Sequence, residues 1–191
     1  MPPPPFVLAS ASPRRAELLL AMGVKFTVVT RPTEEAHHED FTARELCLLN
    51  AYRKARAVAK LHPQALVLGA DTLVYLGTTL YGKPTDLADA HRMIRELAGH
   101  THQVVTGVCL LQLGAHRCQI FAETTNVTFK PLSDAQIAAY LAAIQPLDKA
   151  GAYAIQDHGE QIVARISGSF SNVVGLPQER VKHELAKWRR R

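Results

Sequence analysis

The chain has little cysteine and no obvious use for it in cross-linking. Cys47, Cys109 and Cys118 stand among 191 residues, form no CxxC pair and leave an odd count. That argues against a disulfide framework and suits a reduced, cytoplasmic protein. No run of eighteen apolar residues occurs, so no membrane helix is expected. The opening MPPPPFVLAS has neither a basic start nor a long apolar segment, so no signal peptide is expected. The P-loop pattern GxxxxGK[ST] is missing, which disfavours a P-loop kinase. Internal repeats, low-complexity segments beyond the initial prolines, and obvious linkers are also missing. A single domain over 1–191 is therefore expected, with room for two lobes. An excess of either charge is missing from most of the chain as well. The formal net charge is +5 and the pI about 9.3, but RVKHELAKWRRR at 180–191 holds six cations and one acid. The preceding 179 residues carry sixteen charges of each sign. The basicity belongs to a terminal helix or tail, not a broad basic face, so neither nucleic acid nor membrane is expected as a partner.

What is present is ordinary globular material, 47% hydrophobic and 20% charged, in a chain long enough to bury roughly 70% of its unfolded surface. The pattern alternates. Phe6–Ala9 reads as a buried strand. The following SASPRRAELLLAMG reads as a helix with Ser12 as N-cap, Pro13 at the first position and Gly23 at the C-cap. Lys25–Thr30 reads as a strand, Arg31–Phe41 as an acidic loop, and Thr42–Leu61 as a long helix. Ala65–Leu76 is a strand region interrupted by Asp71, and Thr85–Leu97 a helix. His102–Leu113 and Gln119–Phe129 pair around Gly114. Ser133–Ile144 is a helix capped by Ser133, Asp148–Pro177 is loop-like, and Gln178–Arg191 is a charged helix. This order predicts an α/β fold with a mixed sheet and flanking helices.

Five constellations carry possible chemistry. Ser10-Ala11-Ser12-Pro13-Arg14-Arg15 sits where a strand turns into a helix. Two arginines in a first helical turn oppose the helix dipole, a conflict that a bound phosphate would resolve. A routine N-cap with solvated arginines is the other reading. In Gly69-Ala70-Asp71-Thr72 a carboxylate interrupts an apolar strand, and a buried charge needs a partner or a metal. Otherwise Asp71 caps a strand-end turn. Lys54 shares a small apolar helix face with Cys47, Asn50, Ala51, Val58 and Leu61, so it should snorkel or find an anion. Lys83 lies in the turn Tyr81-Gly82-Lys83-Pro84, which alone reads as solvated. Glu34 and Glu35 could supply oxygen to a hard cation such as Mg²⁺, or simply belong to a solvated acidic loop. His37 and His38 read as exposed polar residues, His100 and His102 as structural, and the three cysteines as packing residues. Two loops of small residues, 148–156 and 168–177, allow close backbone approach to a ligand, with Gln156 able to pair with a uracil or thymine edge. They also read as ordinary turns packing the sheet.

Taken in order, SxSPRRxELL, GADT, GKP, DKAGAYxIQ and GSxSNVVGLP run from about Val7 to Pro177. Together they resemble the Maf family of nucleoside triphosphate pyrophosphatases, the septum-formation-inhibitor-like proteins. The resemblance implies a two-lobed α/β fold around a cleft, related to inosine-triphosphate pyrophosphatase. It implies hydrolysis of a nucleoside triphosphate to monophosphate and pyrophosphate with a divalent cation, Mg²⁺ or Mn²⁺, and a homodimer is common in the family. Asp71 matches the family's proton acceptor and Glu35 its acidic metal-site residue, so both are expected at the metal. Ser10, Arg14, Arg15, Lys54 and Lys83 match its substrate-phosphate positions, with Lys83 counted among the catalytic groups. Arg14, Thr72 and Gln156 match the branch that acts on dTTP and UTP, whereas the 7-methyl-GTP branch has Trp, Gln and Glu there. Asp157 stands where the family often has Gly. An all-α dUTPase-type enzyme is disfavoured by the strand content. A non-catalytic nucleotide-binding regulator of septum formation is the alternative, although such a module would need the cations and not a carboxylate pair.

Overall fold

The computed structural model describes residues 4–34 and 41–189. Glu35, His37 and His38 lie outside the described residues. The elements in chain order are β1 (Phe6–Leu8), α1 (Pro13–Ala21), β2 (Thr27–Val28), α2 (Ala43–Ala59), β3 (Leu66–Leu76), β4 (Thr79–Tyr81), α3 (Leu87–Leu97), β5 (Thr101–Gln112), β6 (Arg117–Phe129), α4 (Asp134–Ala143), α5 (Gly159–Ile162), β7 (Val163–Ser167), α6 (Phe170–Val174) and α7 (Gln178–Arg189). The sheet runs β2-β1-β3-β5-β6-β7, with β4 on β3. It is mixed: β1 is parallel to β2 and β3, while β3–β4 and β6–β7 are antiparallel. The α/β class with a mixed sheet and flanking helices is therefore what the chain adopts. No helix among the described residues is long and apolar enough to cross a membrane.

The chain divides into two compact units. The first comprises Met1–Asp71, Thr106–Glu123 and Gly175–Arg191, and the second Thr72–Val105 and Thr124–Val174. In the first, side chains alternate across the strands, as the pleat requires. Val7, Ala9, Ala65, Val67, Cys109 and Leu111 pack with Ala51, Ala55, Val58 and Ala59 of α2. Leu8, Leu66, Leu68, Ala70, Val108 and Leu110 pack with Leu19 of α1 and with Val181, Leu185 and Trp188 of α7. The sheet is covered on both faces, which is why its strands read as continuous apolar runs. The second unit has one core, in which Met93, Ile94 and Leu97 of α3 meet Ile137, Tyr140 and Leu141 of α4, with Phe129 and Tyr153.

Helix starts follow local chemistry. Thr42 and Glu45 form a reciprocal capping box on α2, Ser133 and Gln136 another on α4, and Asp86 accepts from the Asp89 N–H at α3. Four expectations need correction. The Lys25–Thr30 strand shrinks to Thr27–Val28. Gly23 lies one residue beyond the α1 C-cap, Met22, with φ 71°. The strands β4 and β7 were not expected, and β7 falls inside the segment read as loop. Cys118 is exposed, so it is not a packing residue, and its Sγ lies 4.0 Å from that of buried Cys109.

Candidate active site

Asp71 lies midway along β3, on the same face as Val67 and Gly69. That face meets α2. At Gly69 there is no room for a side chain: a Cβ built there would collide with the Ala51 carbonyl oxygen and lie 2.7 Å from Ala55 N. At Gly107 on β5 a Cβ would collide with the Cys47 carbonyl and lie 2.8 Å from Leu48 N. These two glycines let α2 lie directly on the sheet. The close approach brings Asn50 and Lys54, one turn apart, over the carboxylate. Lys54 Nζ donates to Asp71 Oδ1 at 2.7 Å and Asn50 Nδ2 donates to Oδ2 at 3.2 Å. Asp71 is only 5% exposed, so the expectation that a carboxylate in an apolar strand needs a partner is met by an ion pair and an amide. Asn50 was seen on the helix face but not as a site residue. Its signal was a buried-side amide one turn before Lys54, which must find a partner.

The Ser10–Arg15 turn is built differently from a routine cap. Ser12 occupies the N-cap, yet its hydroxyl makes no cap hydrogen bond, and no acid lies in the first turn of α1. The Ser10 hydroxyl instead accepts from Ser12 N at 3.3 Å and from Arg15 Nη1 at 3.1 Å. Arg15 Nε donates to the Gly175 carbonyl at 2.9 Å. The guanidinium thus ties the first motif to the last one, GSxSNVVGLP. Arg14 is half-buried on the same turn. Ser10, Arg14 and Arg15 therefore share one turn, while Lys54 and Asp71 form a contact pair.

Thr72, Lys83 and Gln156 belong to the second unit. Thr72 is half-buried, and Lys83 and Gln156 are exposed. Gly151 N donates to Gly82 O at 2.9 Å, so the GKP turn and the DKAGAY segment are joined directly. Gln156 lines a cavity of about 810 Å³ with Gln145, Lys149, His158 and the end of α4. Behind that segment, His102, Phe129 and Tyr153 stack edge to face. His102 Nε2 and the Tyr153 hydroxyl are 2.9 Å apart. Burial lowers His102 to about 4, and it pushes the Tyr140 phenol up to about 12. The GSxSN segment packs the sheet: Asn172 Nδ2 donates to Val104 O and to Thr125 Oγ1, both at 3.0 Å.

Among the described residues no group of three or more His, Cys, Asp and Glu is gathered to hold a metal. A Mg²⁺-type ion asks less than that, one or two carboxylates with water and substrate phosphates supplying the rest. A carboxylate has about four acceptor positions, and Lys54 and Asn50 use one on each oxygen of Asp71, so its donor set fits such an ion.

A family profile described as Maf-like protein matches residues 5–188. A protein of Akkermansia muciniphila named dTTP/UTP pyrophosphatase is 45% identical over 175 residues, covering 91% of each chain. One of Phocaeicola vulgatus with the same name is 46% identical over 95% of this chain and 94% of its own. Another, of Myxococcus xanthus, is 48% identical over 90% of this chain and 86% of its own. Among solved structures, the Staphylococcus aureus Ham1 protein superposes with a TM-score of 0.53 at 17% identity, covering 94% of this chain and 98% of that one. At that identity the likeness is one of fold.

Proposed function

From the chain's membership of the Maf-like protein family, we propose that it is a nucleoside triphosphate pyrophosphatase, hydrolysing dTTP and UTP to the monophosphate and pyrophosphate. Its relatives over nine-tenths of the chain carry that activity in their names. The observation that carries the reading is the seated carboxylate: Asp71, buried midway along β3, with Lys54 and Asn50 each bonded to one of its oxygens.

The roles divide between the two units. In the first, Asp71 accepts a proton from the attacking water as it adds to the α-phosphorus. The bond to the β-phosphate oxygen then breaks and pyrophosphate leaves. Lys54 orients Asp71 and places a cation beside it. Ser10, Arg14 and Arg15 hold phosphate oxygens, with Arg15 already preorganised by Ser10 and Gly175. In the second, Lys83 contributes a further phosphate contact, and Thr72 and Gln156 select the pyrimidine. A divalent cation held by Asp71 and Glu35 would, when bound, offset phosphate charge and favour departure of pyrophosphate. Such an enzyme works where nucleotide pools are kept, in the cytoplasm. A binding-only regulator is not favoured, since it has no need of a positioned carboxylate.

The test is pyrophosphate release from a panel of common and methylated nucleoside triphosphates, with and without Mg²⁺ or Mn²⁺. Asp71→Asn should retain nucleotide binding and lose turnover by about a hundredfold or more, the usual contribution of a general base. Near wild-type release by that variant would overturn the assignment of Asp71.

A further inference from the structure

The Gln156 amide sits at the end of a segment that is fixed residue by residue. Lys149 Nζ donates to Gln145 O and to Asp148 Oδ1, each at 2.6 Å. Gly151 and Ala152 both take left-handed φ values, 71° and 61°. That is unusual for alanine and persists only where the surroundings enforce it. Tyr153 is clamped against His102 and Phe129. Immediately before Gln156 comes Ile155, buried in the core of the second unit, and before it Ala154. Its N–H donates to the Tyr140 hydroxyl at 3.0 Å, and its carbonyl accepts from the same hydroxyl at 3.2 Å. Tyr140 is fully buried on α4. The same helix ends at Ala142 and Ala143, which line the cavity that Gln156 faces.

One phenol oxygen thus closes both backbone groups of a residue two positions before the amide. A strand or helix would normally supply those partners, and here a side chain does. Removing that oxygen leaves the side-chain volume intact but leaves both Ala154 backbone groups without this partner, so the backbone leading to Gln156 shifts, and the amide with it. We propose that Tyr140 is a positioning residue for base selection, setting the Gln156 amide by fixing the backbone of Ala154. This rests on the reading of Gln156 as the base-selecting group.

The experiment is a double-mutant cycle of Tyr140→Phe and Gln156→Ala, with kcat and KM measured for dTTP and for a purine triphosphate. Tyr140→Phe should raise KM for dTTP roughly tenfold, what one well-placed hydrogen bond is worth. It should leave kcat within about twofold and lower the pyrimidine preference by the same factor. In the Gln156→Ala background, Tyr140→Phe should change that preference no further. Melting is followed in parallel, and Tyr140→Met, which also fills the site without a hydroxyl, serves if the phenylalanine variant fails to fold. If Gln156→Ala shifts the preference but Tyr140→Phe alters only the melting temperature, or the two effects add, the positioning role is overturned while the base reading stands. If Gln156→Ala leaves the preference unchanged, the base reading fails and this inference fails with it.

Discussion

Asp71 shows what a single residue needs in order to sit in an apolar strand. Its two oxygens are met by Lys54 and Asn50 from one helix face, and removing either partner leaves a buried acceptor unpaired. Lys54→Met keeps the stem's packing but removes the ammonium. It should cost about 3 kcal/mol, toward the low end for breaking a buried pair, because the lysine side chain is 19% exposed. Turnover should fall with it, read by urea unfolding and pyrophosphate release on the same sample. This pair was half legible in the sequence. Asp71 in ALVLGADTLVYL and Lys54 on a small apolar face each announced a need for an opposite charge, but nothing local said that each would satisfy the other. The Arg15–Gly175 link, spanning 160 residues, left no local trace. Glu35 lies outside the described residues, so its expected role rests on the family motif.

Among elements, the helices were the most legible, because their ends are written in side-chain chemistry. Thr42 with Glu45 and Ser133 with Gln136 are capping boxes three residues apart, and both form. Strand β7 was not legible. VARIS is short and mostly exposed, without the buried alternation that marks a strand, and glycine and serine follow it. The seating of α2 depends on Gly69, where a methyl group would meet helix backbone and not a movable side-chain tip. Gly69→Ala should therefore push α2 off the sheet. The expected outcome is a stability loss of about 1–3 kcal/mol, as for overpacked cores, with activity falling at least tenfold as Asn50 and Lys54 move from Asp71. Gly82→Ala, with nothing within 4 Å of its Cβ, should leave the unfolding midpoint near wild type.

For the whole molecule, stability should depend on pH through His102. Its folded-state value is lowered to about 4 from 6.5, and burial is the cause. Below 6.5 the unfolded chain takes up a proton there that the folded chain refuses. The associated stability is thus fully present above about 6.5, declines as the pH falls, and is gone near 4. The full swing is on the order of 3 kcal/mol. Urea midpoints between pH 7 and pH 4 should follow this slope, and His102→Phe should flatten it. The sequence reads residues 180–191 as a basic terminal helix or tail, and α7 covers most of them. Glu184 of α7 is buried, paired with Arg180 at 2.9 Å and bonded by Gln119, while Arg117 stacks 4.1 Å over the Trp188 ring.

The bond from Arg15 to Gly175 also has a meaning in time. A ribosome delivers the chain from its N-terminus at roughly 5–20 residues per second, so Ser10–Arg15 emerges first and waits on the order of ten seconds or more for the carbonyl that orients its guanidinium. Until then Arg15 has its bond to Ser10 within the turn and lacks the one to Gly175. That contact is thus among the last to close, completed only when nearly the whole polypeptide has been made.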